Sequence, residues 1–416
     1  MISIASLIKI FMFFALFSSA IAKQGRIRRA GKGVGYNVLK FGARPDGRSD
    51  STKAFMAAWK GACGSKVPAT ISVPKGRYLL KKIDFVGPCI NHDITFHISG
   101  TLMAPSDYWI LGATEHWIAF QNVVGVTVLG GIINAQGTAL WKCKAARKRC
   151  PMGTTSLVVT NSKFVVIKGL KSLNSQMFNI VIHRCRNVKL KGVKIFASAK
   201  SPNTDGIHVD LSKAVQITNS DIRSGDDCIS IGPGSTQVVV DTINCGPGHG
   251  ISIGSLGQGY HEPGVEGITI KNVRFTNTQN GLRIKTWGRP SKGFVRNVVF
   301  QHISMKNVQN PIIIDQMYCP YHQCPHYASG IKISNVKYRD IYGTSATKKA
   351  IKLNCSKKYP CTGIQMQNVK LSFRNKRAQA SCSSSYGSTS GLVQPPSCLH
   401  NLYRANKGNG HRKKGF

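Results

Sequence analysis

The chain has 416 residues, with 57 Lys or Arg against 16 Asp or Glu, a formal charge of +41. A length of that order allows one to three domains and a large core. So strong a positive excess points to a polyanionic partner, yet no nucleic-acid-binding motif is present.

In chain order, residues 1–22 come first. "MISIASLIKIFMFFALFSSAIA" is an apolar stretch with a single Lys9, ending in Ala20-Ile21-Ala22. That is the pattern of a secretory signal with a small-residue cleavage site. A membrane anchor is the rival reading, and the basic sequence that follows at once argues against it. No later stretch is long and apolar enough to span a bilayer. A secreted, soluble chain starting near Lys23 is expected, without membrane contact once the signal is removed. In that location an acidic polysaccharide suits the charge better than nucleic acid, and plain solubility or loose retention in an acidic wall is the alternative. Residues 23–35 and 404–416 are basic, Gly-bearing ends that bind a polyanion or are only solvated, and 36–403 remains for the folded domain.

"SDSTKAFMAAWKGAC" is the first helical signal, with Asp50 and Ser51 as possible N-caps and Phe55, Trp59 and Cys63 recurring every four residues. No further helix is expected after it. The following runs alternate apolar and polar residues and copy one another: "NSKFVVIKGL", "CRNVKLKGVKI", "SKAVQITNSDI", "GVEGITIKNVRF", "SGIKISNVKYRDI". A second kind of run falls between the copies: "FNIVI", "DGIHV", "DCISI", "HGISI", "NGLRI" and "NPIII". Its first apolar residues are Ile180, Ile207, Ile229, Ile251, Leu282 and Ile312, separated by 27, 22, 22, 31 and 30 residues. Several short strands per repeat of this size mark a stacked solenoid. The internal period of two excludes helical repeats. The predicted fold is all-β, a parallel β-helix capped by the N-terminal helix.

That register has a chemical consequence. Asp205, Asp227 and His249 each lie two residues before the first apolar residue of consecutive coils, so they should form a column about 5 Å apart. Asp226 sits one residue aside. Arg283 matches His208, Ser230 and Ser252, and Lys285 returns to the same side by strand alternation. Crowded carboxylates raise at least one pKa, which a general acid needs, while an ionised neighbour can act as base. Paired carboxylates are the machinery of glycoside hydrolysis, and Arg283 with Lys285 could hold an acidic sugar's carboxylate. Singly, each has a plainer reading: Asp205 a turn residue, the Asp226–Asp227 pair a solvated loop or a calcium site, His249 a turn histidine, Trp287 and Tyr318 packing.

Thirteen cysteines agree with an oxidising compartment. Sequence cannot fix their pairing, but short spacings suggest Cys143–Cys150, Cys228–Cys245, Cys319–Cys324, Cys355–Cys361 and Cys382–Cys398, with Cys63–Cys89 as a looser pairing and Cys185 left over as a buried thiol. A metal reading of Cys319, His322, Cys324 and His326 stands as the alternative for that cluster.

At "NTD" (203–205), "GDD" (225–227), "GHG" (248–250) and "RIK" (283–285), in that order, and at Tyr318 in "DQMYC", the sequence resembles the polygalacturonases. The resemblance runs from "YNVLKFGARPDG" to the last cysteines and is closest to plant members. "AWKGAC", "VPKGRYLL" and "GTSATKKAIKLNCS" are similar to the pollen-type exo-acting enzymes. It implies a right-handed, single-stranded β-helix, hydrolysis of α-1,4-linked polygalacturonate with inversion, no cofactor and no metal. Carried over by position, it implies Asp226 as proton donor, Asp205 and Asp227 activating water, and His249 supporting the donor. Asn203, Arg283, Lys285 and Tyr318 would bind substrate. A monomer is expected, with polygalacturonate or pectin as partner. One tension follows: neighbouring coils place carboxylates at a separation closer to the retaining than the inverting rule. Endo action, cleavage of rhamnogalacturonan, a calcium-dependent lyase and a basic wall-binding protein without activity are the competing readings.

Overall fold

Residues 33–320, 324 and 327–401 are described in the computed structural model of the chain. Residues 1–22, expected to be a secretory signal, nearly all of 23–35 and the tail 404–416 lie outside the described residues. From Val34 onward the chain forms one compact unit.

The two kinds of alternating run separate into two sheets. One is a ladder of eleven parallel strands among the described residues, and it carries the second kind of run. Ile180 pairs with Ile207, Ile207 with Ile229, Ile229 with Ile251, Ile251 with Leu282 and Leu282 with Ile312, which is the register read from the sequence. All six side chains are fully buried. Stacked like on like, each contributes roughly 1.5–3 kcal/mol by leaving water.

The copies form the other sheet, of twenty strands. Its long strands, such as Lys213–Arg223, Val265–Thr276 and Gly293–Val308, each bend twice. Asn187, Ala214, Gln237, Gly267, Asn297, Asn335 and Gly363 occupy one register position, and Gly192, Asn219, Thr242, Asn272, His302, Asp340 and Asn368 another. Every one has φ between 50° and 68°. Only Gly enters this left-handed region freely, and Asn tolerates it best among the rest, hence the recurring Asn or Gly in each copy. The bends let one sheet supply more than one wall, and the coil closes as a right-handed parallel β-helix.

Helix α1, Thr52–Gly64, covers the first coils with Ala54, Phe55, Ala58, Trp59 and Ala62 buried. Trp59 packs on Phe85, Phe96 and Phe120 at 5.4–6.1 Å between ring centres, and a disulfide ties Cys63 to Cys89. A second helix, α2, Thr138–Ala145, corrects the expectation of none. It has only eight residues and two buried side chains, Leu140 and Trp141, too few for a visible helical period.

All six suggested disulfides are present and Cys185 is free and buried. The Cys319–Cys324 bond removes both thiols from the metal reading of that cluster, whose histidines 322 and 326 lie outside the described residues. No helix among the described residues is long and apolar enough to cross a membrane.

Candidate active site

The eleven-stranded sheet points one face into the core and the other outward, and the candidate residues gather on the outer face. His208 pairs with Ser230, Ser230 with Ser252, and Ser252 with Arg283. The ladder continues into the preceding loops, where Asn179 N–H donates to the Asp205 carbonyl at 2.8 Å and Gly206 N–H to that of Asp227 at 2.9 Å. Asp205 and Asp227 therefore share one position on consecutive coils, as the register requires.

Two features fix the adjacent acids. A Cβ at Gly225 would lie 1.9 Å from the Ser201 carbonyl oxygen, so only glycine lets the "GDD" loop settle on the coil below. Just after it, Cys228 is bonded to Cys245. Asp226 turns aside, 20% exposed. Its Oδ1 accepts from the Asp227 N–H at 2.8 Å and faces His249 Nδ1 at 2.9 Å. With Nδ1–H donating, Oδ2 has no protein partner among the described residues.

Asp227 is enclosed, its side chain 1% exposed. Oδ1 accepts from Ser252 Oγ at 2.9 Å and Arg283 Nη2 at 2.7 Å, and Oδ2 from Lys285 Nζ at 2.8 Å. Burial raises its pKa, but the charges of Arg283 and Lys285 and their hydrogen bonds outweigh burial and lower it to about 2. The same pairing raises Arg283 against its own burial. Asp205 has the opposite fate. Burial first, then the charges of Asp226 and Asp227, push its carboxyl well above the ordinary range. Ser230 Oγ donates to its Oδ2 at 2.7 Å and, with Lys285, opposes that rise. The raised carboxyl is thus Asp205, while Asp226 is the one with an oxygen free at the cleft.

Asp205, Asp226, Asn203, Lys285 and Tyr318 line a cleft of about 320 Å³, within the range of small-ligand sites. Asn203 sits at the exposed rim with φ 53°. The Tyr318 ring lies 5.1 Å from Lys285 Nζ and 5.9 Å from the Arg283 guanidinium carbon, close enough for cation–π attraction. Trp287 packs edge-on against Tyr318 at 5.7 Å and is 8% exposed, so it serves as packing. Asp227 is buried and Arg283 nearly buried beside the lining residues, and His249, half-buried, flanks Asp226.

Sequence reasoning aligned His208, Ser230 and Ser252 by register but gave them no part. The structure gives each one. His208 Nδ1 reaches Ser230 Oγ at 2.8 Å, which in turn reaches Asp205, and the His208 ring stacks on Phe178. Ser252 bridges Arg283 and Asp227. Alternation alone marks these positions as outward-facing and no more.

Asp226, Asp227 and His249 each offer a ligand atom within 4.8 Å of the others. A cation there would compete with Arg283 and Lys285 for the same carboxylate, so the group does not fit a metal well.

Residues 63–390 match glycosyl hydrolases family 28. A polygalacturonase of Prunus persica is 53% identical over 399 residues, covering 95% of this chain and 99% of its own length. An exopolygalacturonase of Platanus acerifolia is 42% identical over 366 residues, 86% of this chain and 96% of its own. Among solved structures, the endo-xylogalacturonan hydrolase of Aspergillus tubingensis aligns with a TM-score of 0.75 at 25% identity, over 84% of this chain and 98% of that one. A hyperthermoactive exopolygalacturonase of Thermotoga maritima aligns at 0.67 and 20% identity, over 81% and 88%, a likeness of fold.

Proposed function

The chain belongs to glycosyl hydrolases family 28, and on that premise we propose that this secreted glycoside hydrolase cuts the α-1,4 bonds of polygalacturonate with inversion, releasing galacturonic acid from the chain end. One observation carries the reading: two cleft-facing carboxyls, Asp205 and Asp226, stand in front of a buried cationic pair, Arg283 and Lys285. The carboxyls supply acid and base, and the cations select an acidic sugar.

Asp226 donates its proton from Oδ2 to the leaving oxygen, with His249 holding Oδ1. Asp205, when ionised, takes a proton from the attacking water, and Asp227 supplies fixed negative charge beside it. Lys285 has two further N–H donors beyond the one given to Asp227, and Arg283 keeps Nη1 beyond its bonds to Ser252 and Asp227. These meet the uronate carboxylate, with Tyr318 as wall and Asn203 at the entrance. Inversion is supported by Asp227, which is enclosed and held by three donors and so is not placed to attack a sugar carbon. The exo mode is supported by the small cleft and by the exopolygalacturonase named among its relatives.

The test is a product time course on de-esterified polygalacturonate, alongside Asp226→Asn. Monomer from the first minutes, with the variant's rate reduced by about 10²–10⁴ as expected for loss of a general acid, supports the reading. An early ladder of oligomers makes the enzyme endo-acting. Binding without any product makes the chain a wall-binding protein.

A further inference from the structure

A larger cavity, of about 680 Å³, lies outside the cleft and takes no part in the chemistry above. Four aromatic rings line it, Tyr260, Phe294, Tyr327 and Tyr359, together with three lysines, Lys292, Lys332 and Lys358. Lys292 Nζ lies 5.4 Å from the Tyr260 ring and Lys358 Nζ 5.7 Å from the Tyr359 ring. Tyr260 is 58% exposed and all three lysines are exposed. Among the described residues none of these lysines has a carboxylate partner. Glu262, the nearest acid in sequence to Tyr260, spends its carboxylate on the N–H groups of Gly257 and Gly259. The Cys355–Cys361 disulfide closes the short loop that presents Lys358 and Tyr359, which limits the entropy lost when a ligand fixes them.

The cavity is connected to the cleft. A smaller hollow of about 300 Å³ shares Tyr260 with it and Gln258 with the cleft. Arg289 lies in that hollow, its Nη1 donating to the Gln258 carbonyl at 3.0 Å. A track of cations and rings therefore leads away from the reacting centre. Rings offer flat apolar faces and unpaired ammonium groups offer charge, and a pyranose bearing a carboxylate presents both complements.

Resting on the polygalacturonate reading, we infer that the cavity around Tyr260, Lys332 and Lys358 is a second binding site for acidic saccharide, which anchors a distant part of the polymer while its end is cut. The site adds affinity only for substrates long enough to reach it, since a tethered second contact acts through effective concentration.

The double variant Lys332→Ala/Lys358→Ala tests this against de-esterified polygalacturonate and against galacturonate dimer. On the polymer its KM should rise about three- to tenfold with kcat unchanged, the loss expected for two exposed ionic contacts, and the polymer KM should lose part of its salt dependence. On the dimer neither constant should move. Tyr260→Ala should act in the same direction. Equal losses on dimer and polymer, or no loss on either, overturn the inference. Failure of the wild type to cut either substrate overturns the underlying reading instead, so the two failures are distinguishable.

Discussion

Asp205 and Asp227 occupy one register position on neighbouring coils, and the two coils treat the same side chain in opposite ways. On the first, the carboxyl has a single hydroxyl donor, Ser230, and two negative neighbours, so burial wins and the proton is held. On the second, Arg283, Lys285 and Ser252 all point at the carboxylate, so burial loses and the group stays ionised. A repeat fold makes this possible. It places any residue at a known height, and the next coils decide its charge. Arg283 and Lys285 act on Asp227 from a strand that pairs directly with Ile251–Leu256, and they reach Asp205 only weakly.

The largest way to break the comparison is Asp227→Asn. It leaves Arg283 and Lys285 enclosed without their partner, and removing one side of a buried pair costs about 3–5 kcal/mol. The thermal midpoint at neutral pH should fall sharply, with activity lost as well. In the wild type the same pairing, with a folded pKa below the unfolded value, contributes stability above the ordinary carboxylate range. That contribution is lost as pH falls toward about 2.

Asp205→Asn should have the opposite sign in stability. A raised folded pKa stabilises at low pH, and that benefit is lost as pH rises through it. At neutral pH the unfolded chain ionises this carboxyl freely while the folded chain does so only at a cost, so the variant, which has no carboxyl to ionise, should melt higher while being inactive.

Ser230→Ala sharpens the difference more gently. It removes the hydrogen bond that opposes the rise of Asp205. The acid limb of the kcat/KM profile should move to higher pH with the alkaline limb in place. A shift toward lower pH would show that Asp205 is not the base.

Much of this was readable beforehand because strand alternation and β-branched stacking leave a strong period. The register from Ile180 to Ile312 and the column of acids followed from it. The earlier rungs of the same sheet did not. His116–Gln121 has its first five residues buried, and Thr155–Thr160 has four of its six. Coverage of their outer faces erases the alternation that would reveal them. The sequence marked Arg283 and Lys285 as binders of an acidic sugar but gave no sign of a second task. In the structure both also bond Asp227, a contact across two coils that no local pattern encodes. The cavity at Tyr260 draws on residues from several separate coils, and for the same reason it has no signature along the chain.

The most direct test of the opposed pair is the thermal midpoint of Asp205→Asn relative to wild type, followed from neutral to acidic pH. The expected result is a positive difference at neutral pH that shrinks to nothing as the pH falls into the ordinary carboxylate range, where folded and unfolded chains both hold the proton. A difference that is negative, or flat across that range, would show that Asp205 is not held against its charge, and the contrast with Asp227 would fail.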